Sequence, residues 1–429
     1  MPRNQGRKNV EKKSGIIAHT FWKTFDLDLL KRDIFIIVIL SIITKLAVLF
    51  VTANIFHSFI DMYDTVIYFN YSVNVLHGMV PYVDFSVEYP QLFFIAALLP
   101  LIPAVIVQDG NAYVPAFRVL MSVFDIFTAV LVYFIAARLF DQKKAVISGV
   151  LYAAAFASAY FVITKYDAFP TFLLMLSIFL FIYGKELAGY FTSGIGFLVK
   201  WFPAIPLPYY LMFDLKNKKG KNEIIRAVAI TAIGILIVFI PFLILNYNGF
   251  LDTYSRHVGR ASEALSFVFY IDFILNNLAG FTRSFEAVSI FLMVILELLF
   301  IWYYWKYKKA DHKTLCAFIF FSIFIFVLLN KVFSPQYMLW LTPFLALFLA
   351  DSLQNILVFF ISQIWLYLEF PLLFRGIYFT DTYYTGNGNV FISAPFIFFT
   401  IKFFILLLIF IIIFKKMENN FSVPGGAGR

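Results

Sequence analysis

A single cysteine, five histidines and a charged fraction of only 14% leave this 429-residue chain short of what metal proteins and soluble enzymes are built from. Cys316 stands alone inside an apolar run, which excludes a disulfide framework, a zinc knuckle and thiol catalysis. Soluble domains carry about 25% charged and about 45–50% apolar residues. Here the apolar share is 62%, and it is not one oversized core, because runs of membrane-spanning length recur from end to end. The net charge of +9 does not mark a nucleic-acid partner either. Its basic residues sit in short tracts between apolar runs, the pattern of cytoplasmic membrane loops. A cleavable signal peptide is not expected, since the first run begins near Ile34, follows a basic segment and is too long for a signal core.

What is abundant is aromatic: 57 Phe and 25 Tyr, suited to lipid contact, helix–helix gaps and the membrane interface. Apolar runs lie at about 34–55, 115–140, 145–163, 168–183, 227–246, 286–305, 314–330, 337–350, 355–372 and 391–414. Two shorter ones, 189–199 and 203–213, are broken by Lys200, Pro203, Pro206 and Pro208. The expected fold class is an all-α polytopic membrane protein with about 12 spans. Basic clusters in the N-terminal tail, at Lys143–Lys144, Lys216–Arg226, Lys306–Lys313 and Lys415–Lys416 all fall inside if the apolar segment 91–107, with Pro100 and Pro103, does not cross. That arrangement gives a basic tail over 1–33, one membrane domain over 34–414 and a cytoplasmic tail over 415–429. External stretches then run over 57–113, 247–285 and 373–390.

The first external stretch gathers Asp61, Asp64, Asp84 and Glu88 beside an apolar slab. Carboxylates held at such a boundary suit general-base work, although each also suits helix capping or loop bracing. Spacing from Met62 to Val75 predicts an interfacial helix that Gly78 and Pro81 terminate.

An Asp after the first span, a Tyr four residues on, a Gly-x-x-Pro-Tyr turn and a Glu-Tyr-Pro triplet resemble the first external loop of GT-C glycosyltransferases. The residues are Asp64, Tyr68, Gly78, Pro81, Tyr82, Glu88, Tyr89 and Pro90. The resemblance is nearest to the polyprenyl-phosphate-mannose-dependent branch, which includes actinobacterial lipid mannosyltransferases and the first mannosyltransferase of GPI-anchor assembly. Lys165–Tyr166–Asp167, Lys200–Trp201–Phe202–Pro203, His257 with Arg260, and Ser334–Pro335–Gln336–Tyr337 fit in order, so the likeness runs from residue 33 to about 345. It implies a GT-C-type fold and inverting transfer of a hexose, with mannose foremost, from a polyprenyl-phosphate donor to an acceptor hydroxyl on the external face. It places Asp64 as base with Asp61 in support, and Tyr68, Tyr82, Glu88 and Tyr89 in the acceptor loop. Lys165, Asp167, Lys200, His257, Arg260, Lys331 and Gln336 become candidates for binding the donor and its phosphate. Partners are then the bilayer, the lipid-linked donor and a glycan or glycolipid acceptor. The membrane is a prokaryotic plasma membrane or a eukaryotic endoplasmic reticulum.

Blander readings stand beside these. Lys165 and Lys331 at span ends fit snorkelling to headgroups, and His257, Arg260 and Glu263 fit an ordinary loop salt network. Lys200 between Pro-broken helices favours function, because charge there is costly. Asp125 and Glu297 are intramembrane, and Arg118, seven residues before Asp125, is a candidate partner for it on one helix face. His57, Asp61 and Asp64 have helical spacing for a cation, but a monophosphate donor has little charge to neutralise, so no required metal or other cofactor is expected. The Asn70–Tyr71–Ser72 sequon lies in the interfacial helix and reads as chance. A secondary transporter or lipid flippase is the rival function, yet transporters gather polar groups at the midplane and this chain gathers them in one loop. A non-catalytic scaffold fits the clustered carboxylates poorly.

Overall fold

The computed structural model describes residues 27–55, 60–263, 265–279, 285–307, 311–374, 376 and 394–419. His57, most of both tails and most of the 373–390 stretch lie outside the described residues. Among the described residues each of the twelve apolar runs forms helix, as backbone in hydrocarbon must to satisfy its N–H and C=O groups internally. In chain order the helices at the first end are α1 (Leu27–Asn54), α2 (Tyr63–Leu76), the short α3 (Phe93–Leu98) and α4 (Leu101–Ile106) and then α5 (Tyr113–Leu139). Next come α6 (Gln142–Ala153), α7 (Phe156–Thr164), α8 (Ala168–Ile182), α9 (Glu186–Phe197), α10 (Pro206–Lys216) and α11 (Lys221–Leu245). The remainder are α12 (Tyr247–Gly259), α13 (Phe267–Ala279), α14 (Glu286–Lys306), α15 (His312–Leu329), α16 (Met338–Phe348), α17 (Leu353–Tyr367) and α18 (Ala394–Asn419).

Among the described residues, seven helical segments are long and apolar enough to cross a membrane, and the α6–α7 pair, bent by 52°, makes an eighth. The other runs are shorter: α8 has 15 residues and α16 has 11, against about 20 needed to span. A count of twelve full crossings therefore exceeds what helix length alone supports. α1 shows how sequence becomes packing. Its buried positions Leu30, Asp33, Ile37, Ser41, Lys45, Val48 and Thr52 fall three or four residues apart, one stripe against the bundle.

The loops separate into two ends. At one end Asp33 accepts from Gln142 at 2.6 Å, Asp351 pairs with Lys144 at 3.8 Å and with Lys416 at 2.6 Å, and Lys219 pairs with Asp214 at 3.5 Å. Lys216 caps the carbonyl end of α14 through Tyr304, Trp305 and Tyr307. At the opposite end Leu92 N–H donates to Leu198 O at 2.8 Å, and the Tyr113 hydroxyl reaches Ala97 O at 3.0 Å. The α3–α4 pair is broken around Leu99–Pro100 into two helices of six residues each.

Arg118 does not pair with Asp125. Seven residues are about 10 Å of helix axis, and each side chain finds a nearer partner on another helix. Arg118 Nε donates to Ile163 O at 3.3 Å, whereas Asp125 takes Lys45 of α1 at 2.5 Å and the Tyr152 hydroxyl of α6 at 2.6 Å.

Candidate functional site

α2 starts at Tyr63 and ends where Gly78 turns at φ +83°, close to the interfacial helix expected over 62–75. This puts Asp61 just before its first turn and Asp64 within it, beside the Lys165 link between α7 and α8. Lys165 Nζ lies 2.6 Å from Asp61 Oδ2 and 2.7 Å from Asp64 Oδ2, and its side chain is only 5% exposed. Burial opposes the charge on Lys165, but Asp64 and Asp61 together outweigh it and hold the ammonium's pKa above the ordinary lysine value. The carboxylates are not equivalent. Asp61 Oδ1 also accepts the Tyr63 N–H at 3.1 Å, while Asp64 Oδ1 takes no hydrogen bond among the described residues. Asp64 therefore has an oxygen to spare.

Two residues beyond Lys165, the α8 start carries a second charged pair. Asp167, fully buried, accepts from Lys200 Nζ at 2.7 Å and from Trp340 Nε1 at 2.7 Å, both on Oδ1. Lys200 sits on the turn between α9 and α10, where Pro203 and Pro206 prevent a continuous helix. Aromatic rings surround its ammonium: Tyr166 at 4.8 Å, Trp340 at 5.1 Å and Tyr337 at 5.5 Å. Tyr166 joins the two pairs, its ring also lying 5.5 Å from Tyr68 and 5.2 Å from Tyr89.

Expected acceptor-loop residues have mixed placements. Tyr68 and Tyr82 are both buried; the Tyr82 hydroxyl donates to Tyr89 O at 2.8 Å and its ring packs on Phe242. Glu88 is exposed, and its carbonyl meets His257 Nε2 at 3.0 Å. Asp84 staples the loop by accepting the Val80 N–H at 2.7 Å, a bracing role. Ser72 of the sequon is buried and donates to Tyr68 O and Ala97 O, so that motif is structural. α12 clamps this loop from above: Thr253 reaches Val87 O at 2.9 Å and Asn246 reaches Tyr82 O at 3.2 Å. A Cβ on Gly249 would lie 1.9 Å from Tyr82 O. Gly249→Val should unseat α12, lowering thermal stability by about 2 kcal/mol or more. Thermal unfolding in detergent reads this, with a parallel loss of transfer.

The remaining candidates form the outer wall. Arg260 pairs with Glu263 at 2.5 Å, and Glu263 N–H donates to Lys331 O at 2.9 Å. Burial pushes the Glu263 carboxyl up, Arg260 opposes this, and the Asp64 charge adds to the rise. Lys331 lies 3.7 Å from Glu286. Gln336 is half-buried in the short turn Pro335–Tyr337 that carries the Lys200 ring partner. Among the described residues no three His, Cys, Asp or Glu are grouped to hold a metal ion. Sequence reading missed Trp340, which looked like one more apolar residue in a span, and missed that Lys165 serves carboxylates.

A membrane bundle with paired carboxylates and a caged cation at one end invites comparison with known transferases. The sequence profile of glycosyltransferase family 87 matches residues 89–335, more than half of the chain. The chain belongs to glycosyltransferase family 87. It is therefore a membrane glycosyltransferase, in line with the resemblance read from its motifs. The matched stretch holds Lys165, Asp167, Lys200, His257, Arg260 and Lys331, and begins after Asp61 and Asp64. GPI mannosyltransferase 1 of Candida albicans is 23% identical over 355 residues, covering 73% of this chain and 83% of that protein. GPI mannosyltransferase 1 of Debaryomyces hansenii is 26% identical over 252 residues, covering 52% and 60%. Among solved structures, the apo Archaeoglobus fulgidus oligosaccharyltransferase aligns with TM-score 0.43 at 11% identity, over 91% of this chain and 56% of that one. The chain thus spans little more than half the length of that structure.

Proposed function

We propose that this family 87 enzyme is a GT-C-type mannosyltransferase that draws its sugar from a polyprenyl-phosphate donor on the external or luminal face. The observation that carries the reading is the Lys165–Tyr166–Asp167 link, which holds a carboxylate pair on one side and a caged cation on the other. A single displacement needs both. The acceptor hydroxyl gives its proton to Asp64 Oδ1 as its oxygen bonds to the sugar C1. The bond from C1 to the phosphate oxygen breaks with inversion, and the polyprenyl phosphate leaves with the electron pair. Charge growing on that phosphate is met by Lys200, with Arg260, His257 and Lys331 along the wall. Lys165 acts on Asp61 and Asp64 rather than on the phosphate, fixing their rotamers. The likeness to two GPI mannosyltransferases supports mannose as the sugar. No metal is required in this scheme.

Purified enzyme is expected to transfer radiolabelled mannose from polyprenyl-phosphate mannose, with chelator present, and not from GDP-mannose. Transfer from GDP-mannose without lipid donor would overturn the donor, and abolition by chelator would overturn the metal-free scheme.

A further inference from the structure

Trp340 lies outside the stretch matched by the family profile, five residues past its end, yet it touches both members of the Asp167–Lys200 pair. Asp167 is wholly buried, and among the described residues its Oδ2 has no hydrogen-bond partner. Both of its contacts fall on Oδ1, one from the ammonium and one from the indole N–H. A buried carboxylate with only two donors distributes its charge between them. The indole is also rigidly set. It stacks on Phe202 with centroids 4.1 Å apart and planes 10° apart, and on Tyr337 at 4.0 Å. Phe202 comes two residues after Lys200, so the turn that carries the ammonium also orients the ring that shares its counter-ion.

We infer that Trp340 is a positioning residue for the donor phosphate: its N–H takes part of the Asp167 charge and so leaves the Lys200 ammonium available to an incoming phosphate. This rests on the proposed role of Lys200. Without the indole donor the buried carboxylate would bind Lys200 alone, drawing the ammonium inward and making the phosphate compete with Asp167. Indole bulk is not the point, because Phe fills most of the same volume and keeps the stack.

The test is a double-mutant cycle in full-length enzyme, with polyprenyl-phosphate mannose as donor, reading donor kcat/KM, acceptor KM and the thermal midpoint. Trp340→Phe is expected to lower donor kcat/KM by about 10-fold, the loss of one hydrogen bond to a charged group. Acceptor KM should hold, and in a Lys200→Met background the same change should add nothing. Equal losses in both backgrounds, or acceptor KM and thermal midpoint moving together with activity, would overturn the inference while leaving the donor site intact. If Lys200→Met by itself leaves donor kcat/KM unchanged, the phosphate site of the proposed function fails and the inference falls with it. Should Trp340→Phe express poorly, Phe202→Leu, which frees the indole without deleting its N–H, is expected to show the same dependence on Lys200.

Discussion

Asp64→Asn should lower turnover by about 10²–10⁴-fold, the usual contribution of positioned proton transfer. The substitution is nearly isosteric, and its amide oxygen can still accept from Lys165, which keeps its bond to Asp61 at 2.6 Å. Folding, expression and donor binding should therefore stay near normal, as single-turnover transfer and a donor-binding assay would show. Asp61→Asn should cost less. Both Asp61 oxygens are already engaged, by Lys165 and by the Tyr63 N–H, whereas Asp64 Oδ1 is open. If Asp61→Asn is the inactive variant and Asp64→Asn stays active, the base is one helical turn away from where we place it. A modest, parallel fall in stability and activity for Asp64→Asn would instead mark a bracing carboxylate.

Lys165→Met is expected to be the most destabilising change at the site. It removes the one ammonium that holds two carboxylates, leaving partly buried negative charges facing each other. Breaking a buried pair from one side costs about 3–5 kcal/mol. Asp61 and Asp64 keep 27% and 17% of their side-chain surface exposed, so water recovers some of that and about 2–3 kcal/mol is the expected loss. Adding Asp61→Asn should restore part of the stability without restoring activity, because one uncompensated charge is gone while the base remains unheld. Thermal midpoints of the three proteins in one detergent decide this. A Lys165→Met protein as stable as the parent would mean that the ion pairs contribute nothing, and activity lost without stability would return Lys165 to the phosphate.

Much of the scaffold was legible because it depends on neighbours in the chain. The interfacial helix was expected over 62–75 and runs Tyr63–Leu76, since apolar spacing and the Gly78 turn are local signals. Arg118 and Asp125 show the limit: shared helix face is a local property, but Lys45 reached Asp125 from another helix, and in hydrocarbon an ion takes whichever partner packing brings nearest.

By itself, the sequence determined that this chain is a helical membrane protein, where its helices lie and which short polar segments could hold chemistry. Run length, proline breaks and Lys/Arg distribution act through the bilayer on each segment in turn, and need no knowledge of what the segment meets. Only the tertiary structure decided the wiring of the site. Lys165 lies 104 and 101 residues from the two carboxylates it holds, and Trp340 lies 173 residues from Asp167. No spacing rule connects such positions, because helix packing chooses among several chemically equivalent cations and aromatic rings by where it sets their backbones.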